Sequence, residues 1–246
     1  MLCPYSVSYG HSSAMPLLRL LRAQQCYAPT SPPYTSMQNI ALYGTSAAPH
    51  HKGHLGILSR QGQQFDYVAV WASDNPYKAG QSPLADRMEM LKLMIEHLPE
   101  QHLPEQGAAK TVALHPTLSH RFTSVTIERA QAIWPTATFT FVIGADLVPQ
   151  MPKWYQSEAI FQQAKILVFP RPGYPLYDED VAELRQHGAT VAIATPPQQF
   201  DISSSAYRHA AANRQAVPPA VQDYIHQHNL YPCLENSPRP RNTANR

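Results

Sequence analysis

Charged residues, cysteines and long apolar runs are all scarce in this sequence, and each shortage excludes a class of protein. Only 15% of the 246 residues are charged, and 19 Lys and Arg against 17 Asp and Glu leave a net charge of +2. This balance argues against binding of nucleic acid or membrane surfaces through bulk charge. The sequence contains no run of about 18 apolar residues, so we expect no membrane span.

The three cysteines lie near the chain ends, at Cys3, Cys26 and Cys233, and none has the Cys-x-x-Cys spacing of a metal site. This distribution excludes a disulfide scaffold and a zinc site with cysteine ligands. The hydrophobic share of 43% is ordinary for a folded protein. A chain of this length can bury a sizeable core, and we expect a single α/β domain.

Both ends of the chain differ in composition from its middle. Residues 1–38 contain two arginines and no acidic residue. We expect this segment to be an appendage: a disordered tail, upstream sequence read through before a true start at Met37, or an organelle transit peptide, with the first two favoured. We also expect residues 232–246 to form a disordered tail. The folded domain is therefore predicted to span residues 39–231.

Within residues 39–231, short apolar runs alternate with amphipathic stretches. The apolar runs predict strands at 40–43, 67–71, 111–114, 139–143, 165–169 and 190–194. Helical spacing predicts helices at 53–63, 84–98, 124–134 and 178–186, and a helical stretch through Ile160. This alternation predicts a Rossmann-like, doubly wound parallel sheet with helices on both faces and a small C-terminal helical part. Ligands of such sheets bind beyond the carboxyl ends of the strands.

The loop after the first predicted strand carries residues suited to phosphate binding. Gly44-Thr45-Ser46 ends the strand, and His51-Lys52-Gly53-His54 opens the next helix. A helix N-terminus offers unpaired N–H groups and a positive dipole end to an anion. Histidines three residues apart lie on one side of the first turn, so both imidazoles can face one phosphate, and Gly53 permits close approach of a ligand.

The histidine pair also has plainer interpretations. The chain contains 12 histidines, so the loop could be a His-rich turn or a chance metal site. A zinc site is disfavoured because no third ligand stands at a helical offset.

A second group of hydroxyls stands near the end of the predicted domain. Ser203-Ser204-Ser205 comes just ahead of Arg208. A helix N-cap accounts for one serine, whereas three serines and a guanidinium can surround phosphate oxygens.

Three further residues lie where ligands are expected. Gly144 and Asp146 follow the strand at 139–143, where the carboxylate can accept hydrogen bonds from ribose hydroxyls or cap the next helix. Trp154 lies in a polar loop, which suits stacking on a flat ring, with core packing as an equal alternative.

The two segments Gly44-Thr45-Ser46 and His51-Lys52-Gly53-His54 together resemble the first signature of the nucleotidylyltransferase superfamily. Further matches in family order narrow the resemblance to the bacterial nicotinate mononucleotide adenylyltransferase family, and the Gly-Thr-Ser-Ala opening is similar to its cyanobacterial branch. These matches lie at 73–76, 87–91, 122–126, 143–146, 152–155, 171–175 and 202–208, with Val217-Pro218, Tyr224-Ile225 and Leu230-Tyr231 at the end.

The resemblance implies adenylyl transfer from ATP to nicotinate mononucleotide, giving nicotinate adenine dinucleotide and pyrophosphate in NAD biosynthesis. The catalytic residues that it implies are His51, His54 and Arg208. The ATP-binding residues that it implies are Gly44, Thr45, Ser46, Gly53, Gly144, Asp146, Ser204 and Ser205. The substrate-binding residues that it implies are Asn75, Lys78, Thr123, Trp154 and Arg171, while Arg87 is expected either to reach this pocket or to form a surface pair with Glu89 or a neighbour.

The same resemblance implies Mg²⁺ that enters with ATP, a cytoplasmic location, and small-molecule partners without nucleic acid or membrane. We expect no metal held by protein ligands, and self-association stays open. The family loop carries an Asp-Pro pair where this chain has Ala48-Pro49. This departure keeps two alternatives open: another nucleotidylyltransferase, or a nucleotide-binding protein with impaired catalysis. The preference between nicotinate and nicotinamide mononucleotide is also open.

Overall fold

The computed structural model describes residues 39–75, 78, 80–98, 111–195, 204–209 and 216–231. The expectations for residues 1–38, for residues 232–246 and for Ser203 lie outside the described residues. All described residues belong to one compact unit, Met37–Arg246.

Strands and helices alternate along the described chain, as the sequence pattern predicts. The strands are β1 (Asn39–Thr45), β2 (Tyr67–Ala72), β3 (Val112–Leu114), β4 (Thr138–Gly144), β5 (Ala164–Phe169) and β6 (Val191–Ile193). The α-helices are α1 (Lys52–Gln64), α2 (Leu84–Glu96), α3 (Thr123–Ile133), α4 (Ser157–Gln163), α5 (Asp178–Gln186), α6 (Ser204–His209) and α7 (Pro219–Gln227). Short 3₁₀ helices occupy Pro116–Leu118 and Ala145–Lys153. The predicted helical stretch through Ile160 is therefore two helices, the second 3₁₀ helix and α4.

The six strands form one parallel sheet in the order β3-β2-β1-β4-β5-β6. The direction of winding reverses between β1 and β4, which are paired with Leu42 opposite Phe141. In doubly wound sheets, ligands bind in the crevice beyond the carboxyl ends of the strands at this reversal. The predicted Rossmann-like fold is confirmed, and it places the loops after β1 and β4 side by side.

The core lies on both faces of the sheet. Strand β2 is buried at all six positions, as expected for a strand covered on both sides. On one face, Val68 and Val70 belong to a cluster with Met90 of α2 and Val221 of α7. Helices α3, α4 and α5 cover the other face with their own buried side chains, among them Ile127, Ile160 and Leu184. Within the described residues, no helix combines the length and the apolar character needed to cross a membrane.

Candidate functional site

His51 and His54 cap the N-terminus of α1 with their own rings. The Nδ1 of His51 accepts a hydrogen bond from the N–H of Gly53, at 3.2 Å. The Nδ1 of His54 accepts one from the N–H of His51, also at 3.2 Å, which completes a reciprocal capping box. Because each Nδ1 is an acceptor, the neutral rings carry their proton on Nε2. The cap therefore leaves two Nε2–H donors for a ligand.

The two rings lie close together and are neutral near pH 7. Their centroids are 3.9 Å apart. Burial, helped by the positive charge of Arg171, lowers the pKa of His51 to about 4. Burial and the neighbouring imidazoles hold the pKa of His54 well below its usual 6.5. The structure brings the pair together as the sequence pattern predicts, and each neutral ring can offer an Nε2–H to a ligand.

His50 is a third histidine of this cluster, and the sequence analysis missed it. Its side chain is completely buried, and its ring meets that of His54 edge-on with centroids 5.8 Å apart. Neither ring nitrogen has a hydrogen-bond partner in the described part of the chain. Burial lowers the pKa of His50 to about 3. In a His-rich loop, nothing in the sequence marked this residue as the buried one.

Two glycines that flank this loop, Gly44 of β1 and Gly53 of α1, lie against side chains of the protein itself. A Cβ on Gly53 would lie 3.0 Å from the ring of His51. A Cβ on Gly44 would lie 2.7 Å from the indole of Trp71, which is only 2% exposed. Thr45 is also used internally, because its Oγ1 accepts a hydrogen bond from the N–H of Ala47 at 3.2 Å. The loop is thus shaped by its own packing before any ligand binds.

The serine–arginine cluster of α6 is joined directly to the histidine loop. Ser204 Oγ donates to the carbonyl oxygen of Pro49 at 2.9 Å. Arg208 donates to the carbonyl oxygen of Ala48 at 2.6 Å and to Ser205 Oγ at 3.3 Å. Two segments that lie about 155–160 residues apart in the chain therefore border one site.

Lys78 borders the same site from the loop after β2. Its Nζ donates to the carbonyl oxygen of Ser46 at 3.0 Å and to Ser46 Oγ at 3.1 Å. Burial, followed by the positive charges of Arg208 and Arg171, lowers the pKa of Lys78. Three cations therefore influence one another around the histidine loop, which favours an anionic ligand.

Asp146 and Arg171 extend from the ends of β4 and β5 and form an ion pair of 2.9 Å. Asp146 is the second residue of the 3₁₀ helix Ala145–Lys153 and makes no side-chain cap for it, so the capping alternative is wrong. A Cβ on Gly144 would lie 2.5 Å from the Asp146 carboxylate. Glycine at this position therefore makes room for the carboxylate beside Arg171.

The remaining predicted substrate residues lie on two other segments. Thr123 is the first residue of α3, a helix whose N-terminus has no side-chain cap. Trp154 follows the second 3₁₀ helix, is half-buried and meets Phe141 of β4 edge-on at 6.3 Å. The rings of Phe122 and Tyr155, each next to one of these residues, lie 4.7 Å apart. Thr123 and Trp154 therefore belong to one aromatic-walled region. Asn75 lies instead beside Lys78, whose N–H donates to the Asn75 carbonyl at 3.4 Å.

Arg87 is buried and does not pair with Glu89, so the expected surface pair is wrong, while its reach into the substrate pocket stays a prediction. The side chain is 4% exposed, with Nε donating to the carbonyl oxygen of Ser82 at 3.1 Å and Nη1 donating to that of Ser73 at 2.6 Å. Glu89 pairs with Lys92 at 2.9 Å instead. Arg87 thus joins the two ends of the loop between β2 and α2.

The sequence is similar to known proteins over most of its length. Residues 42–210 match the family model described as Cytidylyltransferase-like. A protein of Synechocystis sp. named "Probable nicotinate-nucleotide adenylyltransferase" is 37% identical over 208 residues, covering 78% of this chain and 98% of the relative. A protein of the same name from Bacteroides thetaiotaomicron is 29% identical over 203 residues, covering 76% and 90%.

A solved structure shares the fold at lower identity. Plasmodium falciparum nicotinic acid mononucleotide adenylyltransferase, complexed with NaAD, superimposes with a TM-score of 0.63 at 19% identity. The match covers 79% of this chain and 98% of that one.

Proposed function

Since this chain belongs to the cytidylyltransferase-like family and, within it, to the nicotinate-nucleotide adenylyltransferases, we propose that it transfers the adenylyl group of ATP to nicotinate mononucleotide. The products are nicotinate adenine dinucleotide and pyrophosphate, and the reaction belongs to NAD biosynthesis. One observation carries this proposal: Arg208 and Ser204 are hydrogen-bonded to the histidine loop beside the strand reversal. A site that gathers imidazoles and a guanidinium suits the charge of a triphosphate.

The reaction needs positioning more than proton transfer. An oxygen of the mononucleotide 5′-phosphate attacks the α-phosphorus of ATP, the new O–P bond forms, and the bond between the α-phosphorus and the bridging oxygen breaks. Pyrophosphate leaves with that bonding pair. A phosphate monoester is already largely ionised at neutral pH, so the attack requires no general base.

We assign the α-phosphoryl oxygens to the Nε2–H donors of His51 and His54. The tautomer of each ring is set by the capping box, so these donors need no rearrangement when the phosphate arrives. Neutral imidazoles stabilise the developing charge by hydrogen bonding, with Gly44, Thr45, Ser46 and Gly53 supplying the backbone around the phosphates.

We assign the β- and γ-phosphates to Arg208 and Ser205. A guanidinium has five N–H donors, and the contacts with Ala48 and Ser205 use two of them. Ser204 already donates its hydroxyl proton to Pro49, so in this proposal it attaches α6 to the loop, while exposed Ser205 is the hydroxyl that reaches phosphate.

We assign the mononucleotide to Asn75, Lys78, Thr123 and Trp154. The free N–H groups at the start of α3, with the Thr123 hydroxyl, suit the nicotinate carboxylate, and the Trp154 ring suits stacking on the pyridine. On the ATP side, Gly144 makes room for Asp146, whose carboxylate would accept hydrogen bonds from the ribose. Arg171 would stand between the two substrates.

Mg²⁺ belongs to this proposal only as the ion that accompanies ATP. Among the described residues, no group of three His, Cys, Asp or Glu side chains could hold a metal, and Asp146 is already paired with Arg171. The residues present do not form a protein cage for magnesium. We therefore assign the ion to phosphate oxygens and water, which it commonly keeps as ligands.

Ala48 supports a second candidate, a nucleotide-binding protein with impaired catalysis. The side chain is fully buried and brings no carboxylate to the loop. Pyrophosphate release separates the two candidates. It is measured with ATP in three parallel assays, which contain nicotinate mononucleotide, nicotinamide mononucleotide or no mononucleotide. We expect release with nicotinate mononucleotide above all. ATP binding without release would support the second candidate, and release with a different acceptor would indicate another nucleotidylyltransferase. A cytoplasmic location and self-association remain predictions.

A further inference from the structure

The turn after α7 contains Leu230 and Tyr231. These two residues match the family's sequence at the end of the domain, but the proposed reaction assigns them no role. Helix α7 ends in a Schellman motif: the N–H of Asn229 donates to His226 and the N–H of Leu230 donates to Ile225. Asn229 accordingly has a left-handed φ of 48°. The motif turns the chain back toward the domain.

Tyr231 is the unusual residue of this turn. Its φ is 61°, and left-handed backbone is rare for a bulky aromatic residue. Such conformations persist where surrounding contacts determine them, and they are frequent at functional positions. The Tyr231 ring is half-buried and packs against the core cluster shared by β2, α2 and α7.

The Tyr231 hydroxyl lies 2.9 Å from Ser82 Oγ, at the end of the loop between β2 and α2. Ser82 is 8% exposed, and its carbonyl oxygen accepts from Arg87 Nε at 3.1 Å. Arg87 Nη1 donates to the carbonyl oxygen of Ser73, at the beginning of the same loop, at 2.6 Å. One continuous set of hydrogen bonds therefore connects Tyr231 to both ends of the loop.

That loop presents Asn75 and Lys78. Lys78 reaches from it to Ser46 in the loop after β1, with hydrogen bonds of 3.0 and 3.1 Å. The position of the loop ends thus affects where both side chains stand relative to the histidine loop. At the start of the loop the N–H of Ser73 also donates to the carbonyl oxygen of Thr45 at 2.9 Å, and Arg87 connects this end to Ser82 at the other end.

We propose that Tyr231 is a positioning residue for the mononucleotide, because through Ser82 and Arg87 it holds the two ends of the loop that carries Asn75 and Lys78. The proposal rests on the assignment of this loop to the mononucleotide. Tyr231 does not touch the reacting atoms, so its hydroxyl affects the KM for the mononucleotide. The KM for ATP and kcat depend on the loops after β1 and β4 and on α6.

Tyr224 of α7 supplies a matched control, because its hydroxyl also forms a hydrogen bond near the start of α2. Its hydroxyl donates to Asp86 Oδ1 at 2.9 Å, and it therefore also joins α7 to the first turns of α2. The Asp86 carboxylate has no hydrogen bond to the loop in the described residues. Tyr224→Phe consequently removes a helix-to-helix hydrogen bond of the same kind and leaves the loop contacts intact.

The test measures kcat and both KM values for the full chain and for Tyr231→Phe, Ser82→Ala and Tyr224→Phe, together with their melting temperatures. We expect Tyr231→Phe to raise the KM for nicotinate mononucleotide by about three- to tenfold, the effect of one hydrogen bond. We expect the KM for ATP to change by less than about twofold. Ser82→Ala should give the same increase, and the double variant should add nothing further, because both changes remove one contact. Tyr224→Phe should change neither KM.

Equal kinetics for Tyr231→Phe and Tyr224→Phe would overturn the proposal, and so would an equal rise in both KM values. A chain without turnover would contradict the proposed function instead. Calorimetric binding of nicotinate mononucleotide to the same variants then decides the positioning role by itself: unchanged Kd in Tyr231→Phe and in Ser82→Ala contradicts it. If Tyr231→Phe fails to fold, Ser82→Ala provides the same comparison.

Discussion

Arg208 donates a hydrogen bond of 2.6 Å to the carbonyl oxygen of Ala48, 160 residues earlier in the chain. This contact attaches the short helix α6 to the loop that carries His51 and His54. The same loop accepts a second bond from Ser204. The proposed triphosphate site therefore exists only as long as these two segments remain joined.

Arg208→Lys should lower kcat for pyrophosphate release by about 100-fold or more. A lysine ammonium is a single point charge, so it cannot contact Ala48, Ser205 and a phosphate in the geometry of the guanidinium fork. Arg185→Lys, on the exposed side of α5, is the control and should retain full activity. A kcat within threefold of the parent for Arg208→Lys would remove Arg208 from the catalytic residues.

His54→Gln should retain more activity than His54→Ala, because glutamine still places an N–H donor near the position of Nε2. We expect His54→Ala to lose about 10²- to 10³-fold in kcat, the effect of removing one donor from a charge-stabilising site. Single-turnover rates at saturating ATP measure the difference. Equal loss in both variants would show that His54 acts as an acid or through its cap, and not as a neutral donor.

Gly44→Ala should lower the free energy of unfolding by about 1–3 kcal/mol, because the added methyl would meet the buried indole of Trp71. Urea unfolding measures this change. Trp71→Phe provides the space that the methyl needs, so the double variant should lose less stability than the sum of the two single changes. If the losses of stability in the two single variants simply add in the double variant, the loop moves away from the added methyl instead.

The domain should lose stability as the pH falls from about 6.5 toward 4. Burial lowers the pKa of His50 to about 3, and of His51 and His115 to about 4, from 6.5 in the unfolded chain. Below pH 6.5 the unfolded state therefore binds more protons than the folded state, and each such histidine contributes up to about 1.4 kcal/mol per pH unit.

Urea midpoints at pH 7.5, 6 and 5 measure this slope. His50→Leu removes one of the buried imidazoles without leaving a polar group unpartnered. It should therefore reduce the dependence of stability on pH, and its stabilising effect should be largest at pH 5. An unchanged slope in this variant would show that His50 binds its proton equally well in the folded and the unfolded chain.

The order and type of the elements followed from local pattern. Strand β2 was readable because six consecutive residues, Tyr67–Ala72, are all suited to a strand buried on both faces. The histidine pair was equally readable, since three-residue spacing at a helix start already determines that two rings share one turn. The location of this loop beyond the carboxyl end of its strand followed from the predicted parallel sheet, whereas the strand order itself came from the structure.

The hydrogen-bond partners of individual polar groups could not be predicted from the local sequence pattern. From the sequence, Arg87 was expected either to reach the substrate pocket or to form a surface pair, yet folding brings two carbonyl oxygens to its guanidinium and buries it. Glycine at position 44 was predicted from the resemblance to contact ATP, and only the structure shows that an indole of the neighbouring strand also leaves no room for a side chain there.

The sequence by itself thus determined the βα order and the loops in which phosphate-binding residue types stand, because both depend on spacing over a few residues. Only the tertiary structure decided that Ser204 holds the histidine loop, that His50 is buried and that Tyr231 reaches the loop between β2 and α2. Burial and hydrogen bonding depend on atoms from distant parts of the chain. These atoms come into contact only when the sheet and its helices pack together.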